Sequence, residues 1–286
     1  MVGVGLMNFI DTYDEILSYF SSKEFNISLW ENYSNVISKE LSNKVKRDIK
    51  DYNYRKDILP VIETALKSRE KLKQVHESFI AVSDNIKYKF NELFEEDLDL
   101  DIILYLGLCN GAGWATSLHN KNVVLLGIEK IIELDWCNEE DMFALIAHEI
   151  GHIWHKTKGG CFGKQKNISE KALFQLYSEG VAMLFEQLLC GDENYYHQNQ
   201  EGWIDWCENN LIELKREYLI RITNSESVQD FFGDWNSYKG HSDVGYFIGC
   251  KFVRFLLKKY SLTEMLSMEM DLMLKEYISF SKLEGN

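Results

Sequence analysis

The stretch ALIAHEIGHIWHK, residues 144–156, constrains this chain more than any other. It sets three of the chain's seven histidines, His148, His152 and His155, among Ile146, Ile150 and Ile153. Asn138 just upstream suits a helix N-cap, and Glu139, Glu140 and Asp141 put negative charge where the first turn's N–H groups favour it. Gly159 and Gly160 follow, where helices commonly stop. The pattern predicts a helix that starts after Asn138 and runs through His155. Residues four apart on a helix share one face, one turn above the other. His148 and His152 therefore present two imidazoles to one point, while Glu149 is rotated by about 100° and stands beside it. Burying imidazoles without partners costs free energy, so this face needs something to hold.

H-E-x-x-H on a helix supplies two metal-ligating nitrogens and a carboxylate that reaches a metal-bound water. A chain of this composition would contain the pattern by chance about once in sixty or seventy cases, and seldom on a capped helix with apolar flanks. A catalytic zinc site usually takes three protein ligands. The continuation H-E-x-x-H-x-x-G-x-x-H fails, because its glycine position holds His155 and its last histidine position holds Lys158. The other source is a glutamate on a downstream helix, which the periodicity predicts over 167–189. Ala172, Leu176, Met183 and Glu186 recur on one face, and Glu179 falls in the same stripe. A carboxylate there needs a partner, and a metal ion is one. Gly180 and Ala182 are small, which would let this helix approach the H-E-x-x-H helix closely. Glu179 is the expected third ligand. Glu186 is either a carboxylate that orients a ligand histidine or an exposed residue.

The rest of the chain sets the frame. Residues 1–97 read as a helical N-terminal region, with Val75, Phe79, Val82, Ile86, Phe90 and Phe94 on one helix face and the single proline, Pro60, suited to a first helical turn. The acidic run at 95–101 lacks the spacing of an EF-hand loop and reads as a solvated turn. At 100–130 the pattern changes to a small sheet: an apolar run at 100–109, then two arms flanking His119–Lys121 like a hairpin. Helical patterns then resume, so 98–286 reads as a second unit. Loop 156–168, with three glycines and four lysines, reads as solvated, with a lid over the cleft as the alternative. The fold class expected is α+β, mostly helical.

A net charge of −14 argues against nucleic acid and anionic membranes as partners. No leader or membrane-spanning run is read. The six cysteines form no C-x-x-C pair, which excludes a cysteine-built zinc ribbon and suggests free thiols in a reducing cytoplasm.

His148-Glu-Ile-Gly-His152 followed by Glu179-Gly-Val-Ala resembles the gluzincin-type zinc metallopeptidases. More narrowly, residues 105–131, the helix pair and 243–253 resemble a bacterial family of predicted zinc-dependent proteases. The likeness covers roughly 100–260. It implies a zincin-like unit with a small antiparallel sheet packed on the H-E-x-x-H helix, and zinc held by His148, His152 and Glu179. It implies peptide-bond hydrolysis with Glu149 as general base, acting on peptide or protein substrates. It implies an edge strand near Trp114–Ser117 that pairs with substrate, with NGAGW at the cleft rim. It also implies an oxyanion-stabilising Tyr246 or His241. GAGWA lacks the glutamate of the aminopeptidase G-x-M-E-N motif, which disfavours that activity. A zinc hydrolase of a non-peptide amide or ester is the first competing reading. A catalytically inactive binding or regulatory protein is the second.

Overall fold

The computed structural model describes residues 7–21, 24–94, 98–159, 163–233 and 236–283. Part of the acidic run (95–97) and part of loop 156–168 (160–162) lie outside the described residues, so the turn and lid readings are not addressed there. The fold is α+β and mostly helical, with one four-stranded mixed sheet. The chain divides into two compact units, 1–149 and 150–286.

The first unit holds the sheet. Its strands are β1 (Met7–Asp11), β2 (Leu100–Tyr105), β3 (Gly113–Leu118) and β4 (Lys121–Gly127), in the order β1-β2-β4-β3. The hairpin falls where the sequence places it. His119 and Asn120 both take positive φ, 49° and 62°, as a two-residue primed turn requires. The sheet is not antiparallel as expected: β1 and β2 run parallel to β4, and only β3 is antiparallel. Strand β2 is an almost fully buried apolar run, and such a run carries no signal of direction.

Helices α1 (Tyr13–Phe20), α2 (Ile27–Ile37), α3 (Lys39–Asp48), α4 (Leu59–Lys67), α5 (Arg69–Phe94) and α6 (Ile128–Glu133) complete this unit with the start of α7 (Glu139–Lys158). Helix α5 buries Val75, Phe79, Val82, Ile86 and Phe90, as its periodicity predicts. Pro60 begins α4 instead, and the chain breaks at Ser68 before α5 starts. The N-terminal region is not wholly helical, because β1 pairs with β2. Its alternating burial over only five residues is too short to stand out from a helix start.

The second unit contains the rest of α7, then α8 (Ile168–Cys190), α9 (Trp203–Asn224), α10 (Val244–Leu257), α11 (Leu262–Leu266) and α12 (Met270–Ser281). Asn167 caps α8 by accepting from Glu170 N at 2.8 Å, and Gly191 ends it at φ 75°. Glycines set two close helix approaches. A Cβ on Gly151 of α7 would lie 2.9 Å from Ala182 Cα on α8, and one on Gly180 would lie 2.2 Å from the Gly249 carbonyl oxygen on α10. Ala182 thus serves the approach to α7, as its size suggests, whereas Gly180 serves α10. Gly180→Ala should destabilise the protein by about 1–3 kcal/mol or more through overpacking, read as a lowered denaturation midpoint. An unchanged midpoint would mean that α8 and α10 do not meet there.

Candidate metal centre

Helix α7 begins as its sequence dictates: Asn138 Oδ1 accepts from Asp141 N at 2.9 Å, and Asn138 O from Met142 N at 3.1 Å. Met142, Ile146, Ala147 and Ile150 are fully buried, which fixes the rotation of the helix. His148 and Glu149 are then themselves buried, 4% and 7% exposed. His152 and Glu179 are partly exposed, with 19% and 18% of their side chains accessible.

His148, His152 and Glu179 each offer a ligand atom, and these atoms all lie within 4.8 Å of one another. His152 Nε2 and Glu179 Oε2 are 3.2 Å apart, and Ser178 Oγ lies 3.4 Å from His152 Nδ1. Two atoms bound at about 2.0–2.1 Å to a tetrahedral ion are separated by about 3.3 Å. The spacing and the donor set of two imidazoles and a carboxylate therefore fit a divalent metal ion. This is the trio that the sequence brings together.

Glu149 is seated against the sheet. A Cβ on Gly113, the first residue of β3, would lie 2.4 Å from Glu149 Oε1. The carboxylate thus rests directly on the main chain of the sheet's edge strand, and only glycine leaves it room. The segment before that strand is pinned. Glu129, fully buried, accepts from Gly107 N at 2.7 Å and Cys109 N at 2.9 Å. Its burial raises its pKa, which those donors oppose. Tyr33 OH accepts from Leu106 N at 2.9 Å, and Trp30 Nε1 donates to Leu106 O at 2.8 Å. The NGAGW segment is therefore held from behind before it enters β3.

The other candidate carboxylate of α8, Glu186, is more deeply set than the sequence indicates. Glu186 is fully buried and accepts from the His197 ring at 2.8 Å and from His197 N at 3.2 Å. Glu186 and His197 form a second metal-capable group with His148, again with ligand atoms within 4.8 Å of one another. Sequence reasoning missed His197. It lies in a polar connection after α8, and a histidine in such a loop gives no periodic signal.

Tyr246, on the first turn of α10, packs edge-on to His197 with ring centroids 6.1 Å apart. His241 stacks on Trp206 of α9 at 3.9 Å and bridges Tyr238. His155 is 1% exposed and meets Tyr177 edge-on at 5.2 Å. Burial, aided by His152, lowers its pKa to about 3, so it stays neutral in an aromatic pocket.

No known protein family matches the chain, and neither a curated protein nor a solved structure does. Among the described residues no helix is long and apolar enough to cross a membrane.

Proposed function

We propose that the protein is a zinc-dependent peptidase of the gluzincin type. The observation that supports this best is the pairing of a metal-capable trio with Glu149, whose carboxylate rests on an edge strand. A mixed sheet with an antiparallel edge strand before the H-E-x-x-H helix, and a glutamate helix after it, also suits a zincin-like unit.

His148, His152 and Glu179 would hold the ion. When bound, zinc supplies a Lewis acid and lowers the pKa of water to near neutrality. Glu149 takes the proton from the attacking water and returns it to the leaving amine. Main-chain groups of β3 pair with an extended substrate, which favours peptides over the non-peptide amides and esters that the same ligands would serve. Tyr246 or His241 would donate to the developing oxyanion; the ring contact of Tyr246 with His197 supports Tyr246, since His241 is stacked on Trp206. An inactive binding protein would have no use for a buried base seated on an edge strand. The five described cysteines are free thiols, which suits action in the cytoplasm.

The test is the metal content of protein purified without chelator, measured by mass spectrometry beside His148→Ala. About one zinc per wild-type chain and little in the variant is expected for a three-ligand site, followed by zinc-dependent cleavage in a peptide library. Absence of zinc from both, with no uptake on zinc titration, would overturn the reading.

A further inference from the structure

We propose that Lys44 limits how far a substrate extends along the β3 edge. The inference rests on the peptidase reading above and adds a substrate class to it: peptides with a chain end close to the scissile bond.

The direction of the β3 main-chain groups follows from the pairing. The Ala112 carbonyl accepts from Gly127 N at 2.9 Å, so main-chain groups of even-numbered residues here face β4. In an antiparallel pair the alternate residues face away. Gly113, Ala115 and Ser117 therefore turn their N–H and C=O groups outward, at the edge of the sheet. Gly113 is the residue against which Glu149 rests. At the other end the outward Ser117 carbonyl is already taken, since Lys44 Nζ donates to it at 3.1 Å. The same ammonium lies 5.7 Å from the Trp114 ring centroid.

Lys44 is carried by α3, and α3 is tied to both ends of the strand. Glu40 accepts from His119 N at 2.7 Å at the hairpin turn. Asn110 Nδ2 donates to Asp48 at 2.7 Å in the segment before β3. The lysine is thus held across the edge from a helix that has little freedom to withdraw. A strand entering beside Glu149 can use the outward groups of Gly113 and Ala115. To go further it must displace Lys44. Gly113 to Ser117 is about 13 Å at about 3.3 Å per residue, room for about four substrate residues on that side.

The experiment takes a peptide cleaved by the zinc-loaded enzyme and lengthens it with alanines, one residue at a time, at either end in two series. Wild type, Lys44→Ala and Lys44→Arg are compared by kcat/KM, after thermal melts confirm folding. In one series the wild-type value should fall about tenfold or more once the extension passes the fourth residue, the cost of breaking a hydrogen bond from a charged donor. The other series should show no step. Lys44→Ala should remove the step and Lys44→Arg should keep it. A flat wild-type profile in both series, faster cleavage of the longer peptides, or a step that survives Lys44→Ala would overturn the proposal while leaving the peptidase reading intact. Absence of zinc-dependent cleavage of any peptide would overturn both.

Discussion

Glu149→Gln should keep about one zinc per chain, as a three-ligand site does, and lower kcat by about 10²–10⁴, the range for losing a positioned general base. Glutamine has the same size and shape, so the packing around a side chain that is 7% exposed is preserved. It cannot accept a proton at neutral pH. The tight seat against Gly113, where an added Cβ would lie 2.4 Å from Glu149 Oε1, makes size matter as much as charge. Glu149→Asp keeps the charge but withdraws it by one methylene, and a misplacement of about 1 Å can cost about a hundredfold. Both variants should therefore lose activity while retaining metal. Single-turnover assays beside metal analysis decide the matter. Wild-type turnover in Glu149→Gln would remove the general base from the mechanism. Loss of zinc from that variant would make Glu149 a ligand.

The sequence shows the elements of this site better than their surroundings, for physical reasons. His148, Glu149, His152 and Glu179 sit on long periodic helices with visible caps at Asn138 and Asn167, so their faces can be worked out from 3.6 residues per turn. The hairpin is legible because its turn stands between two strand-like arms. The parallel pairing of β1, β2 and β4 is not legible, since pairing partners far apart in sequence leave no local mark. The same holds for His197 and Lys44. Each acts through a contact with a distant segment, Glu186 in one case and Ser117 in the other. Glu129 is hidden differently: nothing in the short sequence of α6 marks it as buried until its two main-chain donors are seen. Gly180 is legible as a small residue but not as to which helix it admits. Its spacing fits α7, and the structure gives it to α10.

Glu179→Ala should weaken zinc binding more than Glu186→Gln does, and the comparison decides which of two groups holds the metal. His148 belongs to both, one with His152 and Glu179 and the other with Glu186 and His197. An imidazole has two nitrogens, so His148 can serve a metal with one and a carboxylate with the other. In that arrangement Glu186 orients His148 and is itself held by His197 Nδ1 and N. Changing such an orienting partner costs about 10–100-fold in metal affinity, and removing a ligand should cost more. Glutamine is the appropriate change at 186, because alanine would leave the part-buried His197 donors without this acceptor at a cost of about 1–3 kcal/mol and confound the reading. Competition with a chelating dye measures both affinities. The opposite order would place the metal with His148, Glu186 and His197. Glu149 would then lose its claim to be the base, because its position beside the His148–His152 face would no longer be its position beside the metal.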